Sequence, residues 1–309
     1  MSSNKNNLIL EDSLVSSKPF DLDDLPDGLD SLTLGYNCEM FGSLFNIECK
    51  GLEQCSRLSN LSSLTFNGYS TNYHKFEYLP QNLKNLTVGK YYDTLLDNLP
   101  SDLQSLTVEY CSEFNDKLID LPPNLHTLVL NRNFNSALKL PDNLQNLTLQ
   151  RRFNHKLELP SSLLSLTFSH NSKFNKELKF PDNLQSLTLG AKFKPSLKKL
   201  PNSLQSLVIS EWSNKFKLKK LQCNLQDLTL GYHFNQKLNA CLVLPKLQIL
   251  QISNNYKGNI PIIFGTTVII INCVAYGREI KNIKKNEIKQ NYDFDEWKSI
   301  FYKSIKDLS

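Results

Sequence analysis

The sequence predicts a leucine-rich solenoid: a parallel β-sheet of short strands, extended or 3₁₀ segments on the convex return path, and a short C-terminal capping helix. Three observations predict it. The pattern Leu-Pro-x-x-Leu-x-x-Leu-Thr-Leu recurs in about eleven copies along 309 residues. Its closing Leu-Thr-Leu alternates apolar and polar, which is the period of a half-buried strand. A second motif, Phe-Asn-x-x-Leu, fills the gaps between the copies.

Copies of the first motif begin at Leu25, Leu79, Leu99, Leu121, Leu140, Leu159, Phe180 and Leu200. Leu58 and Leu221 start copies whose Pro is replaced by Ser59 or Gln222, and Leu244 starts one that is a residue short. The third anchor falls at Leu29, Leu61, Leu83, Leu103, Leu125, Leu144, Leu163, Leu184, Leu204, Leu225 and Leu247. The first spacing, 32 residues, spans an insertion near 35–57, and the others are 19–22 residues. Ile260-Pro261 marks a decayed twelfth copy. One short strand per repeat, always in one direction, builds a parallel sheet. A repeat of 19–22 residues leaves little room for a helix on the way back. Pro has fixed φ and no N–H, so it suits a turn before the strand and not a helix interior.

Phe-Asn occurs at Phe114-Asn115, Phe134-Asn135, Phe153-Asn154, Phe174-Asn175 and Phe234-Asn235, while Phe193-Lys194 and Phe216-Lys217 keep the Phe alone. The Asn is expected inside the turn, its amide bonded to backbone there and in the next coil, because a buried amide needs partners. One repeat cannot bury its own apolar face, so stability comes from stacking neighbours. Each buried side chain contributes roughly 1.5–3 kcal/mol, against about 1–2 kcal/mol of backbone entropy per ordered residue.

The organisation expected is an N-terminal cap or tail over 1–24, repeats over 25–272, and a connector with a capping helix over 273–309. Asp293-Phe-Asp-Glu296 resembles a capping box. Phe294, Trp297, Phe301, Ile305 and Leu308 follow as an amphipathic stripe.

Charge divides the chain. Residues 1–130 hold 8 Lys+Arg and 18 Asp+Glu, a balance of −10, whereas residues 131–240 hold 17 and 6, a balance of +11. The seven Cys are irregularly spaced with no C-x-x-C, which points to free thiols in a reducing compartment. The N-terminus lacks the basic and apolar regions of a signal peptide, and no apolar stretch is long enough to span a bilayer. These features lead to the expectation of an intracellular, cytoplasmic protein without a membrane partner.

No phosphate-binding, nucleophile-elbow or metal-ligand signature occurs, and the five His are scattered. No catalytic residue, cofactor or metal is expected. The outward strand positions are monotonous (Thr33, Thr65, Thr87, Thr107, Thr148, Thr167, Thr188, Thr229) and hold little recognition information. Variation lies between each strand and its Phe. Aromatic and Arg residues there are the usual anchors of interfaces. Stacking aligns Tyr110, Arg132, Arg151, Arg152, Lys173, Lys192, Trp212 and Tyr232 into a candidate ridge, basic in its middle. The function expected is a non-catalytic protein–protein interaction scaffold whose partner has an acidic surface. Weak nucleic-acid binding through the basic stripe is an alternative that the acidic first half disfavours.

Leu140-Pro-Asp-Asn-Leu-Gln-Asn-Leu-Thr-Leu-Gln-Arg-Arg-Phe-Asn-His-Lys-Leu157 resembles the FNIP repeat, a leucine-rich-repeat relative of social amoebae and giant amoebal viruses. The resemblance covers about 25–260 and implies a leucine-rich-repeat-like fold with no catalytic residues. For a viral chain, the expected place is the host cytoplasm. No copy reads Phe-Asn-Ile-Pro. Family members often carry an F-box before the repeats, which implies substrate recognition for a ubiquitin ligase. The 24 residues before Leu25 are too few for one, so that role stays an alternative.

Overall fold

The computed structural model describes residues 7–10, 25–34, 58–66, 79–89, 99–109, 120–190, 193, 200–210, 224–231, 234, 246–253, 256 and 267–271. The chain divides into two compact units, Met1–Ser162 and Leu163–Ser309.

The first unit holds seven strands: β1 (Asn7–Leu10), β2 (Ser31–Leu34), β3 (Ser63–Phe66), β4 (Asn85–Val88), β5 (Ser105–Val108), β6 (Thr127–Leu130) and β7 (Asn146–Leu149). Each pairs in parallel with the next. The second unit holds β8 (Ser165–Phe168), β9 (Ser186–Leu189), β10 (Ser206–Ile209), β11 (Asp227–Leu230), β12 (Ile249–Ser253) and β13 (Thr267–Ile271), paired in the same way. Register is strict: Leu86 faces Leu106 and Thr87 faces Thr107. This is the predicted parallel, leucine-rich-repeat-like solenoid of four- and five-residue strands.

Two strands extend the repeat series. β1 lies inside the stretch 1–24, with Asn7 opposite Ser31 and Leu8 opposite Leu32. β13 is the strand of the decayed twelfth copy, with Val268 opposite Leu250. No helix, α or 3₁₀, occurs among the described residues. The return path there is extended chain and turns, as 19–22 residues require. The expected capping helix and its connector lie outside the described residues, as does the insertion core at 35–57.

The conserved spacing of Pro and Leu has a backbone cause. Leu83 N donates to Pro80 O at 3.1 Å, Leu103 N to Pro100 O at 3.1 Å, and Leu144 N to Pro141 O at 3.2 Å. Pro is thus the first residue of a β-turn that ends on the anchor Leu, where its missing N–H costs nothing. Leu61 N donates to Leu58 O at 2.9 Å, so Leu58 occupies the Pro position. The copy assigned to start at Leu58 with Ser59 for Pro is therefore shifted by one residue.

After each turn, one carbonyl serves two donors of the next repeat. Lys84 N and Asn85 N both donate to Ser62 O at 2.9 Å, and Gln205 N and Ser206 N donate to Gln185 O at 2.8 and 3.0 Å. The two inward Leu rows behind this ladder are fully buried, for example Leu103, Leu106, Leu125 and Leu128. The Phe of the second motif forms the other wall. Phe134 and Phe153 stack in the first unit with planes 5° apart and centroids 6.1 Å apart. Phe168, Phe174 and Phe193 cluster in the second at 4.6–6.1 Å. Tyr256 holds the Phe position of the last coils, 5.5 Å from Phe234. The residue before Pro varies in burial: Leu99, Leu121, Leu140 and Leu159 are half-buried, whereas Leu25, Leu79 and Phe180 are buried.

Candidate recognition surface

The solvent side of the sheet is tied up laterally. Asn146 Nδ2 donates to Thr127 Oγ1 at 3.2 Å, and Thr229 Oγ1 to Gln251 Oε1 at 3.4 Å. The outward Thr are half-buried in the first unit, and Thr167, Thr188 and Thr229 are buried in the second. Small hydroxyls sunk between neighbouring strands present few free groups.

The turn that follows each strand differs. Asn131, the residue after β6, is 1% exposed. Its Oδ1 accepts from Asn133 N at 2.8 Å and Phe134 N at 2.9 Å. This is an Asx turn, in which a short polar side chain replaces a backbone acceptor. Asn131 therefore belongs to the frame of the turn and not to its exposed edge. Arg132, next along, is exposed, and so are Arg151 and Arg152 on the following coil. Arg152 N donates to Arg132 O at 3.0 Å, which locks the two turns together. Buried Phe134 and Phe153 hold each turn down from below. Three guanidiniums thus stand on two bonded turns with rigid backbone beneath them.

In the second unit Lys173 is exposed, between buried Ser172 and buried Phe174. Ser172 Oγ accepts from Phe174 N at 3.2 Å. The strand-exit position itself is tight there. A Cβ on Gly231 would sit against the Ser210 carbonyl oxygen, and one on Gly190 against that of Ser169. Glycine permits this close coil-to-coil approach. Tyr110, Lys192, Trp212 and Tyr232 lie outside the described residues.

The Phe-Asn motif joins coils, but not from inside the turn. Asn135 is exposed, and its Oδ1 accepts from Asn154 N of the next coil at 3.0 Å. His155 Nε2 meets Asn135 O at 2.8 Å. A second inter-repeat ladder escaped the sequence reading. The residue just before the anchor Leu bonds a carbonyl of the preceding repeat. Asn82 Nδ2 donates to Ser59 O at 2.8 Å, Asn143 Nδ2 to Pro123 O at 3.1 Å, and Asn224 Nδ2 to Asn202 O at 3.0 Å. Ser162 Oγ and Ser203 Oγ reach Leu144 O and Leu184 O, both at 2.7 Å. The signal was present in the sequence, since Asn or Ser fills this position in most copies.

Among the described residues no group of three His, Cys, Asp or Glu could hold a metal ion, and no helix is long and apolar enough to cross a membrane. The seven Cys lie outside the described residues. Burial raises the Asp227 carboxyl above its ordinary value. It opens β11, where neighbouring strands carry uncharged Ser206 and Ile249.

Comparison with known proteins agrees with this geometry. Residues 134–171 match the family model of the FNIP Repeat. A segment of 58 residues is 36% identical to an FNIP repeat-containing protein of Dictyostelium discoideum, covering 18% of this chain and 16% of that protein. The solved structure of CroV588, a circular leucine-rich-repeat protein, superposes with a TM-score of 0.51 at 25% identity. It covers 85% of this chain, which spans 39% of that one. Residues 134–171 therefore match the FNIP repeat, and the described residues form a leucine-rich-repeat-like solenoid.

Proposed function

We propose that the chain is a non-catalytic protein-interaction scaffold and that the post-strand turns form its recognition edge. The observation that carries this reading is the placement of Arg132, Arg151 and Arg152 on two hydrogen-bonded turns, all exposed above buried Phe. Arg combines charge with a planar fork that pairs bidentately with carboxylates. A backbone fixed before binding reduces the ordering cost of the contact. The excess of 17 basic over 6 acidic residues in 131–240 favours an acidic protein surface as the partner. The sunken Thr rows offer less for a partner to grip.

Affinity purification with the chain as bait tests this. The wild type recovers a protein partner at low salt. A variant with Arg132, Arg151 and Arg152 all changed to Glu loses it. Recovery of the same partner by both baits overturns the reading. Steep salt-dependent binding of the wild type to any duplex would replace the protein with nucleic acid as the ligand.

A further inference from the structure

Within the first unit the two ends of the strands differ in charge. The turns that lead into the strands hold Asp27, Asp102 and Asp142, all exposed, and no Lys or Arg between the Pro position and the anchor Leu. The described turns that leave the strands hold Arg132, Arg151 and Arg152, all exposed, against Glu109. Asp142 precedes β7, and Arg151 and Arg152 follow it, so a four-residue strand separates the two signs. Backbone bonds hold both edges. Leu103 N donates to Pro100 O across the Asp102 turn at 3.1 Å, Leu144 N to Pro141 O across the Asp142 turn at 3.2 Å, and Arg152 N to Arg132 O at 3.0 Å. The same division runs along the chain, with a balance of −10 over 1–130 and +11 over 131–240.

We propose that the acidic partner of the Arg edge is a second copy of this chain, whose Asp102 and Asp142 edge packs against Arg132, Arg151 and Arg152. This rests on the post-strand turns being the recognition edge, and it names what they hold. Spacing favours a second solenoid over an extended acidic peptide. Charges on either edge repeat with the distance between parallel strands, about 4.8 Å, whereas same-face side chains of an extended peptide repeat at roughly 6.7 Å. Two edges built on one coil spacing stay in step from coil to coil, and a peptide drifts out. Charge also selects which edges meet, because Arg against Arg and Asp against Asp repel. The contact is therefore heterologous: each copy offers one edge and keeps the other for a further copy. Both clusters are exposed, so their attraction is strong at low salt and screened at high salt.

Sedimentation of the 309-residue chain tests the proposal. In about 0.1 M salt, with a screening length of about 10 Å, the wild type is expected to exceed the monomer mass of 35.5 kDa increasingly through the micromolar range. In about 1 M salt, with a screening length of about 3 Å, it is expected at 35.5 kDa. One variant carries Arg132→Glu, Arg151→Glu and Arg152→Glu, and a second carries Asp102→Lys and Asp142→Lys. Each alone is expected at 35.5 kDa in the lower salt, with an unchanged far-ultraviolet spectrum. Their equimolar mixture is expected to assemble again, since Arg meets Asp at one junction and Glu meets Lys at the other. A wild type that stays monomeric overturns the proposal, and so does a mixture that stays monomeric. Association that persists unchanged in the higher salt does the same. A monomeric wild type whose Arg edge still captures a different protein would remove the second copy as the partner and leave the scaffold function standing.

Discussion

Asn131 and Asn143 show how one residue type carries two different weights in this fold. Asn131 is buried and satisfies two backbone N–H groups of its turn. Asn143 is exposed and makes one amide bond to Pro123 O. Removing the acceptor from a buried site leaves donors with poorer partners, at about 1–3 kcal/mol, against about 0.5–1.5 kcal/mol for an ordinary net hydrogen bond. Asn131→Ala should therefore lower the urea midpoint more than Asn143→Ala does. Equal midpoints would mean that the Asx turn adds nothing to the backbone bond from Phe134 N to Asn131 O, 3.3 Å long. Asp227 is a second case. Burial raises its folded-state pKa, so the native state binds the proton more readily than the unfolded chain does. Its ionisation then works against folding above the raised value and costs nothing below the unfolded one. Asp227→Asn should raise the urea midpoint at pH 7. That gain should fade as pH falls below the ordinary carboxylate range. A gain that is constant with pH would contradict the burial account.

At the level of the element, the repeat is two turns and a strand, with Leu rows on one side of the core and a Phe column on the other. Phe153 is 1% exposed and stacks on Phe134. Phe153→Ala should cost about 3–5 kcal/mol. Because each coil touches its neighbours, hydrogen exchange should rise in β6 and β7 before it rises in β10 to β12. A uniform rise throughout would contradict nearest-neighbour stabilisation. These elements differ in how legible they were. The Leu-Thr-Leu strands could be placed from alternation alone, because one residue type fills each inward row. The Pro turn followed from the chemistry of Pro. β1 escaped notice because Asn7-Leu8-Ile9-Leu10, with three apolar residues in a row, does not alternate, and no Leu-Pro leads into it. Tyr256 escaped because it substitutes for Phe. The inward-facing role of Asn131 could not be read, since Gly, Ser, Asn, Gln and Glu all occur at strand exits. Only the turn geometry separates a frame residue from an exposed one. Of the eight candidate ridge residues, Arg132, Arg151, Arg152 and Lys173 are exposed as expected. Their use by a partner is a matter for binding experiments.

For the whole molecule, the repeated ladders of Pro carbonyls, Asn or Ser side chains and shared carbonyls fix the backbone in each unit, and the variable residues ride on it. The turns after the strands, and not the strand face, are the proposed recognition surface. The most direct test titrates a recovered partner against three forms of the chain: wild type, the Arg132, Arg151 and Arg152 to Glu variant, and a Thr87→Ala, Thr107→Ala variant of the strand face. The turn variant should weaken binding at least tenfold, about 1.4 kcal/mol, and flatten its salt dependence. The strand-face variant should bind as the wild type does. Lost affinity in the Thr variant with retained affinity in the Arg variant would contradict the assignment.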